Sequence, residues 1–149
     1  MLERLFPERL DNEYRGWRTA LWLFGLVTAV RLLQSMMIIF SGPDTVSRAD
    51  GIALDQYAPD AAQTTLALFA LNSWWRALVC FLGVAVLIRY RTALPIMFVV
   101  YLLSWAGGQV LSFWVPLARV GTPPGPWVNL TMTGIMLIGL VLSLIKRAE

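Results

Sequence analysis

Two arginines stand inside apolar stretches where a permanent charge is costly. Arg31 lies within "AVRLLQSM" and Arg76 within "LNSWWRALVC". A guanidinium stays protonated and presents five N–H donors in a planar fork, a geometry that matches carboxylate or phosphate. Polar residues recur around both at helical spacing. Thr28, Arg31 and Ser35 fall on one face with Gln34 beside them, and Asn72, Arg76 and Cys80 fall on another. A third apolar stretch adds Ser104, Trp105 and Gly108, with Gln109 and Ser112 beyond; a fourth adds Asn129, Thr131 and Thr133.

This set is rich in donors and suits an anion or a polar headgroup. The candidate ligand-binding residues are Arg31, Gln34, Asn72, Arg76, Trp75, Trp105 and Gln109. Two other roles compete for the same arginines. Asp55 or Asp60, or another loop carboxylate, would form an ion pair by dipping in, or a partner subunit would supply the carboxylate. Trp74, Trp75 and Trp105 would offer cation–π contacts, for which Arg over Trp is favoured.

Other chemistry is excluded by composition. The chain has no histidine and one cysteine, Cys80. The usual imidazole ligands for haem, zinc or copper are absent, as is the commonest general base. No intrachain disulfide or paired-cysteine redox centre can form. No cofactor, metal or nucleic-acid partner is expected, and Cys80 reads as a small core residue.

The elements that must position the arginines are membrane spans. Of 149 residues, 58% are hydrophobic and 14% charged, against ~45–50% and ~25% in soluble domains. The apolar residues collect into four blocks, each near the ~20 residues that cross a bilayer. Backbone groups in hydrocarbon must bond within their own segment, so the blocks are helices, expected at about 17–40, 62–88, 93–115 and 127–145. The first block exceeds a signal-peptide core and lacks a small-residue cleavage pattern after it, so it is expected to remain as a span.

The expected architecture is an all-α integral membrane four-helix bundle, antiparallel and up-down, forming a single transmembrane domain over 1–149. Eight basic residues gather on one side (Arg4, Arg9, Arg15, Arg18, Arg89, Arg91, Lys146, Arg147) and two on the other (Arg48, Arg119). By the positive-inside rule both termini are cytoplasmic, and a bacterial inner membrane is the expected location. Residues 1–16 read as an interfacial preamble, a short helix or two turns broken at Pro7. The first outer loop, 41–65, is long. It ends in "PDAAQTTLALF", where Asp60 is the expected N-cap of the second span. The second outer loop is stiffened by Pro123, Pro124 and Pro126. The inner loop "IRYRTALP" is short, so the second and third spans are expected to form a tight antiparallel pair. Gly107-Gly108 and the Gly134/Gly139 pair are expected to allow close packing within the bundle, with a homodimer face as the rival use.

Helix rise then fixes depth. Arg31 and Arg76 each lie about 10 Å below the outer surface if each span begins at its inner arginine. Polar residues concentrate in the outer half of the spans and apolar ones in the inner half, which predicts a cavity open outward. The functional expectation is a non-catalytic small inner-membrane protein that binds an anionic or polar group there, a lipid headgroup or small anion, or that serves as an accessory subunit. Membrane lipids, a small polar ligand, and a partner subunit or second copy are the expected partners. The alternatives are a small anion or solute transporter and, below that, an enzyme acting on lipid.

Overall fold

Prolines begin four of the five helices, because a residue without an N–H fits the first turn, where that group would have no partner. The computed structural model describes residues 5–145; Leu2, Arg4, Lys146 and Arg147 lie outside the described residues. The helices are α1 (Arg18–Phe40), α2 (Gly42–Asp50), α3 (Pro59–Arg89), α4 (Leu94–Trp114) and α5 (Pro124–Leu144), with single 3-10 turns at Leu54–Gln56 and Arg91–Ala93. The fold is all-α, and the described residues hold no strand.

Helices α1, α3, α4 and α5 are long and apolar enough to cross a membrane, which makes this a multi-pass membrane protein. Only 22–33% of each apolar window is buried. Side chains such as Trp22, Leu33, Leu103, Phe113 and Ile138 therefore point outward. Lipid tolerates that surface, whereas water would drive it to aggregate.

In lipid, helices associate through close packing rather than through expulsion of water. The core shows how. Phe24 of α1 meets Phe98 of α4 edge-on (centroids 5.0 Å apart) and stacks on Tyr101 of α4 (5.1 Å). Two glycines make room for these rings. A Cβ at Gly83 would lie 2.5 Å from the Tyr101 hydroxyl, and one at Gly139 would lie 2.4 Å from the Phe98 ring. Gly139 thus packs within the helix set as expected, whereas Gly107, Gly108 and Gly134 have open space.

The neighbour relations differ from those expected. Helix α1 runs along α3 and α5, α4 packs on α5, and α3 and α4 touch at few points despite their short connection. A short loop brings two helix ends together, but the glycine notches decide which faces fit. The notch on α5 draws Phe98, and α4 with it, toward α5.

The end that carries the two long connections, here the loop end, is ordered. Helix α2 starts at Gly42-Pro43 and stops at Gly51, whose φ of 74° is the left-handed cap that favours glycine. Val46 and Ile52 bury against Ile38 of α1, with Leu66 and Phe69 of α3 packed beside them. The Val120 amide donates to the Gly51 carbonyl (2.8 Å), tying the two loops together. Helix α3 begins two residues earlier than its expected cap allowed. Ala58 holds the N-cap position and Pro59 the first turn, so Asp60 lies within the helix and makes no capping bond. Pro59 carries no N–H and adopts the helical φ directly, which moves the start ahead of the aspartate.

At the opposite, terminal end, Leu5 is helical and the chain from Phe6 to Trp17 is irregular; the first four residues of the preamble lie outside the described residues. The irregular chain is nevertheless held in place. The Asp11 amide donates to the Thr92 hydroxyl (3.0 Å) and the Thr92 amide to the Asp11 carbonyl (3.3 Å). The Trp17 amide donates to the Leu142 carbonyl (3.2 Å), satisfying a C-terminal group of α5 that has no partner within the helix. These bonds draw the chain into an extended course that a helix would not permit.

Gly139→Ala should destabilise the protein by about 1–3 kcal/mol through overpacking against Phe98. Gly134→Ala should be neutral or slightly stabilising, since Ala favours the helix. Thermal unfolding in detergent checks this, and equal melting temperatures for the two variants would contradict the notch.

Candidate functional site

Each arginine lies thirteen positions from the basic residue at the terminal end of its helix, Arg31 from Arg18 and Arg76 from Arg89. That is about 20 Å of helix in both cases. Because α1 and α3 run antiparallel side by side, the two guanidiniums reach the same level and feel one another electrostatically.

Arg31 is buried, with 7% of its surface exposed. Its Cζ lies over the Tyr101 ring, 5.5 Å from the centroid. The Tyr101 hydroxyl is itself fixed by Thr28 Oγ1 at 3.2 Å. Ser35 turns its hydroxyl back onto the Arg31 carbonyl (2.9 Å) and so gives the guanidinium nothing. Arg76 donates through Nη2 to Ser73 Oγ (3.1 Å). Cys80, buried one turn further along α3, lies in electrostatic range of both arginines and of Tyr101.

The remaining groups are all donors. Arg31 Nε, Arg76 Nε and Trp105 Nε1 are buried with no hydrogen-bond partner. They come from three different helices. Among the described residues neither arginine has a carboxylate within 4.0 Å; the two ion pairs found there, Arg15–Glu13 and Arg48–Asp44, are exposed. Two guanidiniums in electrostatic range of one another, with donors left without acceptors, can hold an oxyanion.

The sequence-derived residues separate on inspection. Arg31 and Arg76 come within electrostatic range of one another, Trp105 follows Tyr101 by one turn of α4, and Gln34 is half-buried on α1. Asn72 and Gln109 are exposed. Trp74 and Trp75 turn outward, at 49% and 63% exposure, so the ring under Arg31 is Tyr101 instead. Their bulk suits the lipid-facing side of α3, whose inner side is taken by Ser73, Ala77 and Cys80. Asp55 and Asp60 are exposed and do not pair with the arginines. Asp55 sits in a surface turn and Asp60 at the start of α3, four helical turns or so from Arg76.

Sequence reasoning missed Tyr101, Ser73 and Asp50. Tyr101 stands four residues before Trp105 on one helical face, a spacing that was available to be read. Asp50 ends α2 and is the carboxylate in electrostatic range of Arg76 and Arg119. Burial pushes its carboxyl above the ordinary value of 3.8, and the two arginines oppose that rise. Asp50 also lies against the start of α5, where a Cβ at Gly125 would come 3.2 Å from its Oδ1. A carboxylate there is favoured by the helix dipole.

A cavity of about 370 Å³ lies at the terminal end, not at the arginines. It is lined by the preamble with Thr92, Pro95 and Ser143. The Tyr14 hydroxyl is buried there without a partner, and burial raises its pKa. No protein-family model matches the chain, and no curated protein or solved structure matches it.

The direction of the Asp50 shift gives a pH dependence. A carboxyl raised on folding binds its proton more tightly in the folded state. Its contribution to stability is complete below about 3.8 and is lost as pH rises through the higher folded value. The melting temperature should therefore fall between pH 4 and neutrality by more in the parent protein than in Asp50→Asn. Parallel curves for the two would remove Asp50 from this account.

Proposed function

We propose that this is a non-catalytic, multi-pass protein of the bacterial inner membrane that binds an anionic group at Arg31 and Arg76. The four spans form a bundle with both termini cytoplasmic, so the arginines lie in the half nearer the outer face. The ligand is a lipid headgroup or a small anion. One observation carries the reading: the buried Arg31, the half-buried Arg76 and the Trp105 indole each keep a buried N–H without a partner, and no carboxylate lies within ion-pair distance of the arginines among the described residues.

Intramembrane arginines normally face the protein interior and meet a counter-charge there. The Tyr101 ring and the Ser73 hydroxyl supply partial compensation, and an anion would supply the rest. Gln34 and Trp105 would add neutral contacts. The site lacks a general base, since Asp50 lies outside the spans and is directed at Arg76 and Arg119, which disfavours an enzyme acting on lipid.

The test is thermal unfolding of reconstituted protein with and without an anionic ligand, using phosphatidylglycerol and inorganic phosphate as probes. The parent protein should gain stability with one of them, about 2.7 kcal/mol at a hundredfold excess over Kd. The double variant Arg31→Met/Arg76→Met should gain nothing, and should be the more stable protein when no anion is present. Should that variant be more stable and also fully functional in its host, the charges are structural and the reading fails. Anion flux through reconstituted vesicles, abolished in the double variant, would instead make the protein a transporter.

A further inference from the structure

We infer that the anion is membrane-borne: the phosphate headgroup of an anionic phospholipid that enters sideways between α3 and α4 while its acyl chains stay in the bilayer. This rests on the reading that the arginine pair binds an anion, and it names the source.

The first observation is a slot in the side of the helix set. Helices α3 and α4 touch at few points. Helical spacing continues the inward face of α4 from Tyr101 through Ser104, Trp105, Gly108 and Ser112. Tyr101 is fully buried, yet Ser104 and Gly108 on the same stripe are exposed. A Cβ added at Gly108 would meet nothing within 4 Å. A core-facing stripe left uncovered at Ser104 and Gly108 is a lateral opening, and these two residues make its wall small and polar. The outer flank is apolar, with Leu103, Val110 and Leu111 all more than half exposed. The slot therefore suits a headgroup and the flank suits its chains.

The second observation is where the slot leads. Trp105 follows Tyr101 by one turn on this stripe, with its indole N–H buried and unpartnered. At the stripe's buried end Arg31, 7% exposed, lies over the Tyr101 ring and in electrostatic range of Arg76, each with an unpartnered Nε. Phosphate oxygens accept from guanidinium and indole donors together.

The third observation is that the path from the aqueous side is obstructed. Helix α2 covers the loop end, with Val46 and Ile52 buried against Ile38. The Val120–Gly51 hydrogen bond closes the two loops over it. Asp50 sits at this cover in electrostatic range of Arg76. Its negative charge stands on the path of a soluble anion arriving from above.

Full-length protein in phosphatidylcholine nanodiscs, with and without phosphatidylglycerol, tests this by native mass spectrometry of retained lipid. The parent protein should retain phosphatidylglycerol. Arg31→Gln/Arg76→Gln should lose about tenfold or more of that retention. Gly108→Trp fills the slot without touching either arginine and should lose a comparable factor at an unchanged melting temperature. Ser112→Trp replaces it if Gly108→Trp does not fold. Inorganic phosphate should neither displace the lipid nor stabilise the protein. The lateral route is overturned, with the arginine reading intact, if phosphate displaces the lipid, Asp50→Asn strengthens that effect and Gly108→Trp changes nothing. It is also overturned if the arginine variant releases a co-purifying membrane protein instead of lipid, which would make the occupant a partner's helix. Retention of neither lipid nor phosphate by the parent protein removes the arginine reading itself.

Discussion

Most of the structure depends on the placement of one phenol ring. Tyr101 is stacked on Phe24, set into the notch left by Gly83 and hydrogen-bonded through its hydroxyl to Thr28. These contacts come from α1 and α3, while Phe98, on the same face of α4, fits the notch at Gly139 on α5. The ring is thus the point at which all four spans are held to one geometry. Its remaining face carries the Arg31 guanidinium. The packing of the helices and the placement of the charge are therefore not separable features, because a shift of α4 would move the ring from under the cation.

The energetics show why this arrangement is incomplete without something further. An arginine near the middle of a span costs about 2.5–3.5 kcal/mol on insertion scales. A desolvated cation–π contact returns about 2 kcal/mol, and a hydrogen bond from a charged donor such as Arg76 to Ser73 returns about 1.5–3 kcal/mol. The two sides come within a few kcal/mol of one another, so the protein can fold with the site as it stands. The mutual repulsion of two cations and three buried N–H groups without acceptors remain. That residue of unsatisfied potential is what an anion would relieve.

Much of the frame was legible in the residues. The four apolar runs, the loop glycines and prolines, and the equal distance of Arg31 and Arg76 from Arg18 and Arg89 follow from fixed helix rise and from the requirements of backbone hydrogen bonding. The lateral relations were not legible. Loop length argued for a close α3–α4 pair, but the fit of Phe98 against Gly139 overrode it. Which residue would face each arginine depends on the rotation of each helix about its axis, and a single sequence does not encode that rotation for near-uniformly apolar helices. Hence Trp75 was expected inside and lies outside, Tyr101 takes the place expected for a tryptophan, and Asp50, not Asp55 or Asp60, is the loop carboxylate in electrostatic range of Arg76, without forming an ion pair with it.

The two halves of α4 express the same division. Its first half, from Leu94 to Tyr101, is locked into the aromatic core. Its second half, from Ser104 onward, has small residues on the continuing face and no neighbour against them. A helix that needed only to complete the packing would carry large apolar residues along that stripe to the end. Ser104 and Gly108 are instead small and exposed, with open space at Gly108. The closed half supplies rigidity around the Tyr101 ring on which Arg31 rests, and under the proposed reading the open half would give access to it. The glycine notches admit the rings of Tyr101 and Phe98, and the Thr28 hydroxyl partners the buried Tyr101 hydroxyl, so that the ring can lie with its face toward Arg31.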